Sequence, residues 1–250
     1  MKSPIFQVKF DDSVKDYNKV DGILAIAYFL YILLFTVLFG FLVFRTNYVG
    51  KLTNLSGISS KAAFEVVFYI PVALIEAGPV FIILKCRKQS LNSIGVKKDK
   101  IIKSILLGVL FSIPPILSTL HQMSFERFSS SVNFSNALWT FFYNFFEIAF
   151  VEEIIFRGFI QTRIQGLIRS KWTSIFLVGI MFSLLHIPFH MIEYNLSFSN
   201  YFTSSNVSFL LLGFLMHIYF VYAYTRDNNI LAPVVAHAIV DFIPDLFSGM

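Results

Sequence analysis

FVEEIIFRG, residues Phe150 to Gly158, decides how this chain is read. It closes a long apolar run, yet it holds two adjacent glutamates and an arginine. Ionisable groups in a bilayer are costly and have to be paired or used. On a helix, residues four apart share a face and adjacent residues diverge by about 100°. Glu153 and Arg157 are then neighbours that form a structural pair. Glu152 points elsewhere, with no partner on its own helix. An unpaired, desolvated carboxylate can act as a base, so Glu152 is the expected chemical group.

The rest of the chain puts that stretch in a membrane. Of 250 residues, 56% are hydrophobic, only 14% are charged and 31 are Phe, and mean hydropathy is +0.70. A soluble domain is nearer a quarter charged. Spanning takes about 20 apolar residues, and seven runs qualify: Gly22 to Phe44, Ala62 to Leu84, Ile101 to Leu120, Asn136 to Phe156, Trp172 to Ile192, Val207 to Thr225 and Ile230 to Phe247. The last is short and carries Pro233, Asp241, Pro244 and Asp245. The expected fold is all-α: a polytopic transmembrane bundle of about seven spans (six to eight), with the cavity among the last four helices. Residues 1–135 form an N-terminal tail with three helices, and residues 136–250 form the core that carries the chemistry. The first run is too long for a signal-peptide core and is expected to be retained.

With a cytoplasmic N-terminus and seven spans, sixteen of the twenty Lys and Arg fall on the cytoplasmic side, including Arg157 and the basic loop Lys85 to Lys103. Arg45, Lys51, Lys61 and Arg127 fall on the other. That bias favours N-in, C-out. The net charge of +5 is a matter of topology and anionic lipid, and no nucleic acid partner is implied. The lone Cys86 forms no internal disulfide.

Two further helices bring polar groups to their faces. FSLLH places Phe182 and His186 four apart, and HAIVD does the same for His237 and Asp241. Convergence on one cavity satisfies all of them. His121, His190 and His217 are read as packing residues, and Glu65, Glu76 and Glu147 as helix–helix hydrogen-bonding groups. No HExxH, Gly-x-Ser-x-Gly or Gly-x-Gly-Asp is present. HIPFH, His186 to His190, could ligate a metal with a carboxylate, but Pro188 distorts the spacing that ligation needs.

In this order, EEIIFR, FSLLH and HAIVD, led by NNILAPVVAHAIVD, resemble the motifs of the CPBP family, which covers type II CAAX prenyl proteases and the bacteriocin-processing or immunity proteins called Abi. The resemblance runs from about Trp139 to Asp241. It implies an intramembrane endopeptidase of glutamic type, once called a metalloprotease, acting without a cofactor or metal. A divalent ion stays the open alternative. It further implies that Glu152 and His186 activate water and that His237 and residue 241 stabilise the oxyanion, with Glu153, Arg157 and Phe182 in support. The family carries Asn where this chain has Asp241, and an ionised carboxylate repels an oxyanion. Asp241 must be protonated, orient His237 or help bind a metal.

The expected host is bacterial, and the expected location is the cytoplasmic membrane. The expected substrate is a peptide or small membrane protein cut near the cytoplasmic face, in bacteriocin maturation or self-immunity. The oligomeric state stays open. The rivals are a non-enzymatic immunity protein that sequesters a bacteriocin or its receptor, and a transporter with a carboxylate proton relay. Counting residues from the loops puts Glu152 shallow, His237 about 10 Å in and His186 deeper. That mismatch requires the helix of His186 to start in the cytoplasm or to tilt.

Overall fold

The computed structural model describes residues 7–122, 134–203 and 206–248; Arg127, counted above on the outer side, lies outside them. Among the described residues the chain is helical throughout. We label α1 Lys19–Arg45, α2 Tyr48–Ser56, α3 Lys61–Cys86, α4 Ile101–Gln122, α5 residues 134–168, α6 Lys171–Glu193, α7 Phe198–Thr203, α8 Asn206–Tyr224 and α9 Leu231–Ser248. Five of these (α1, α3, α4, α6 and α8) are long and apolar enough to cross a membrane. The other two expected spans, α5 and α9, are helices as well.

The outer helices show why their runs are apolar all round. On α1 the exposed Ile23, Ile26, Leu30, Leu34, Leu38 and Phe41 recur every three or four residues, while Ala25, Tyr28, Phe29 and Ile32 are buried. One stripe meets lipid and the opposite stripe meets protein, so neither can be polar. Gly108 lets α4 lie directly on α9: a Cβ there would come within 2.7 Å of the Ala232 carbonyl oxygen and 2.6 Å of Val235 Cβ.

The middle helix, α5, is different. From Glu153 to Ile164 every residue is buried. The helix contains two π-helical stretches, Tyr143–Ala149 and Ile154–Ile160. They flank the α-helical turn Phe150–Glu153, and such wide turns concentrate at functional sites. The expected boundary at Phe156 is therefore wrong. Arg157 is fully buried, not at the exposed edge of a span, and the helix continues to Ile168. Polar residues beyond Phe156 are tolerated because protein, not lipid, surrounds them. Gln161 Nε2 donates to Ser174 Oγ at 3.1 Å. Arg163 donates to the Ser93 carbonyl at 3.0 Å and to Gln89 Oε1 at 2.7 Å.

The segments expected on the cytoplasmic side meet at one end. Lys97 pairs with Asp11 at 2.7 Å, and the Asp11 N–H donates to Asn228 Oδ1 at 2.9 Å. Lys171 donates to the Val8 carbonyl at 2.8 Å, and Arg87 pairs with Asp21 at 3.0 Å. This basic end is a hydrogen-bonded polar plate. At the other end Arg45 donates to Asn195 Oδ1 at 2.7 Å.

Candidate active site

The site grows from the stretch that opened the sequence. Glu153 Oε1 lies 3.0 Å from Arg157 Nη1, and both side chains are 0% exposed. The guanidinium makes no well-aligned hydrogen bond among the described residues. It is held as an ion, by Glu153 and by the faces of Phe182, 4.4 Å from its central carbon, and Phe220, at 5.2 Å. Such cation–π contacts strengthen when desolvated.

Glu153 has a second partner that helical spacing does not reveal. His237 Nδ1 lies 2.9 Å from the same Oε1, and His237 Nε2 lies 3.1 Å from Asp241 Oδ2. Phe220 stacks on the imidazole at 4.8 Å. Carboxylate oxygens only accept, so satisfying both contacts puts protons on both ring nitrogens. The row Arg157, Glu153, His237, Asp241 then alternates in sign and sums to zero charge. The Asp241 carboxyl touches His237 Nε2, the contact that orienting His237 requires.

Glu152 takes no part in that row and has no ion-pair partner among the described residues. It faces a cavity of about 630 Å³ together with His186, His237 and Asp241. His186 Nδ1 lies 2.9 Å from the Phe182 carbonyl oxygen. A carbonyl only accepts, so Nδ1 carries the proton and Nε2 is left as a base. Phe182 also packs edge-on against Phe156, with ring centres 4.9 Å apart. The cavity was expected among the last four helices, but α4 lines it too, through Pro114, Pro115, Ser118 and Thr119.

A smaller cavity of about 280 Å³ shares Glu152 and His186 and adds Glu76, Glu147, Tyr69, Tyr143 and His190. Glu147 Oε2 is buried with no hydrogen-bond partner among the described residues, so the helix–helix bond expected of it is not formed there. His190 packs against Phe209, ring centres 5.1 Å apart. His217 is a packing residue, with Nε2 3.0 Å from Gln161 Oε1. His121 is exposed at the end of α4. Among the described residues no group of three or more His, Cys, Asp and Glu is placed to hold a metal ion.

The depth mismatch disappears once α5 runs to Ile168. Glu152 then lies about 24 Å along α5 from its basic-end terminus, and His186 about 22 Å along α6 from Lys171. His237 meets Glu153 at 2.9 Å, which puts it at the level of Glu152's neighbour on α5. Glu152 and His186 thus stand at matching distances from the basic end.

Residues 134–243 match the family described as type II CAAX prenyl endopeptidase Rce1-like. No curated protein and no solved structure gives a significant match. The matched segment contains every candidate residue from Glu152 to Asp241, so this part of the multi-pass membrane protein is similar to the Rce1-like type II CAAX prenyl endopeptidase family.

Proposed function

We propose that the protein is an intramembrane endopeptidase in which Glu152 and His186 activate the attacking water. The observation that carries this reading is the convergence of Glu152, His186, His237 and Asp241, from three helices, on one cavity of about 630 Å³. Water adds to the scissile carbonyl carbon and gives a proton to the Glu152–His186 pair. The pair returns it to the departing nitrogen as the C–N bond breaks. His237 supplies positive charge beside the developing oxyanion. Asp241 competes with that oxyanion for the Nε2 proton. Pro115, Leu212, Met216, Tyr219 and Phe220 give the cavity an apolar lining suited to an apolar peptide segment. The location is a bacterial cytoplasmic membrane, and the substrate is a leader-bearing or membrane-inserted peptide.

The test compares a deletion strain complemented with wild type or with Glu152→Gln at matched protein level, reading peptide termini by mass spectrometry. A terminus made only by wild type supports proteolysis and names the substrate. Identical termini, with the phenotype rescued by both, overturn this reading and leave binding or immunity.

A further inference from the structure

A third space, a groove of about 550 Å³, lies between α1, α2 and α3. Each wall is one helix face. Phe39 and Leu42 line it on α1, Leu52 and Leu55 on α2, and Phe64 and Phe68 on α3. The Phe39 ring stacks on Phe68 at 6.3 Å, which holds α1 beside α3. From Phe64 to Ile75, both in the lining, the groove runs about 16 Å along α3. That is the depth of one leaflet of a hydrocarbon core about 30 Å thick.

Each lining face also carries a cation toward one end of the groove. Arg45 lies three residues after Leu42, Lys51 four before Leu55, and Lys61 three before Phe64. Those spacings keep each cation on the face that lines the groove. All three are exposed. Arg45 donates to Asn195 Oδ1 at 2.7 Å, and Lys61 stands 3.9 Å from Glu65. Lys51 makes no ion pair among the described residues. Lys and Arg are scarce at this end of the molecule. Of the four counted there from the sequence, these are three, and Arg127 lies outside the described residues. Gathering them around one groove makes it apolar along its length and positive at its mouth.

We infer that the groove binds an anionic glycerophospholipid, with an acyl chain along α3 and the headgroup phosphate against Lys51 and Lys61. The lipid touches none of Glu152, His186, His237 and Asp241. Phe39 and Val72 line both the groove and the smaller cavity beside Glu152, so the acyl chain rests on the wall of the site. Binding requires no cleavage and stands apart from the endopeptidase reading.

The chain has two tryptophans, Trp139 and Trp172. With both changed to Phe, Val67→Trp or Ile75→Trp puts a single fluorescent reporter in the groove. Both positions line it, at 53% and 48% exposure, so a larger ring has room at either. Leu110→Trp, on an exposed stripe of α4, is the control. Each full-length variant is placed in bilayers of phosphatidylcholine and phosphatidylglycerol in which one lipid or the other is brominated, and quenching of the reporter is read. A cation near the surface favours an anionic lipid by about fivefold. The expected result is a preference for phosphatidylglycerol of about fivefold or more at both groove positions and little at Leu110→Trp. Lys51→Gln with Lys61→Gln should abolish it, and high salt should weaken it. An equal preference at the control, or one that survives the double substitution, overturns the inference. So does an absence of quenching at both groove positions, which would leave a protein segment or a second copy of the chain as the occupant.

Discussion

Glu152 and Glu153 are chemically identical neighbours placed in opposite environments. Glu153 is fully buried and shared between Arg157 and His237. Glu152 faces two cavities and has no ion-pair partner among the described residues. A helix turns by about 100° per residue, so one step carries a carboxylate from the protein's ionic core to the edge of open space. The pairing that makes Glu153 useful to the fold engages its Oε1 with both Arg157 and His237 inside the protein. Lack of pairing makes Glu152 costly to keep and available for chemistry.

The sharpest way to break this comparison is to neutralise each glutamate in turn. Glu152→Gln is expected to lower cleavage by about 10²–10⁴-fold, the usual worth of a general base, with thermal stability in detergent unchanged. Glu153→Gln should do the reverse at the level of the fold. It leaves Arg157 buried without its counter-ion, and breaking a buried pair costs about 3–5 kcal/mol. Less protein should accumulate in the membrane, and Glu153→Leu with Arg157→Leu should recover much of the loss. Equal stability losses for Glu152→Gln and Glu153→Gln would end the distinction.

A smaller effect tests Asp241. Its carboxylate holds His237 Nε2 at 3.1 Å and is 34% exposed to the cavity. Asp241→Asn removes a negative charge from the neutral row and adds an amide donor. Cleavage should rise, on the order of tenfold, because a donor at the oxyanion position is worth at least that much. The KM should change little. A fall in kcat would show that the carboxylate orienting His237 matters more than the donor it displaces.

The same contrast explains what could be read from the chain and what could not. The lipid-facing helices were legible because lipid demands apolar side chains on every exposed position, as the stripe from Ile23 to Phe41 shows. Contacts within one helix turn were legible for a similar reason: spacing of four brings together Glu153 and Arg157, Phe182 and His186, and His237 and Asp241. The true length of α5 was not legible. Arg157, Gln161 and Arg163 look like the polar edge of a span, and only the surrounding helices make them core residues. Nor was the bond between Glu153 and His237, which are 84 residues apart. Phe220, which stacks on His237, sits in an apolar run with nothing to set it apart.

The smallest prediction sets the buried pair beside an exposed one. Asp11 and Lys97 meet at 2.7 Å on the polar plate, outside the spans, with Asp11 40% exposed. The hydrogen bond from Lys97, helped by the Ser13 backbone N–H, lowers the Asp11 carboxyl from 3.8 to about 2. A depressed folded-state value means the contribution is fully present above about 3.8 and is lost as pH falls toward 2. Water screens so exposed a pair, so it is worth under about 1 kcal/mol. Asp11→Asn should therefore lower the melting temperature slightly at pH 6, and the gap to wild type should close below pH 3. Moderate salt should shrink the gap in the same way, since it screens exposed charges far more than buried ones. Salt should leave the loss from Glu153→Gln in place. A gap at Asp11 that ignores both salt and acid would mean that the plate is held by packing rather than by charge, and that burial alone does not separate the two pairs.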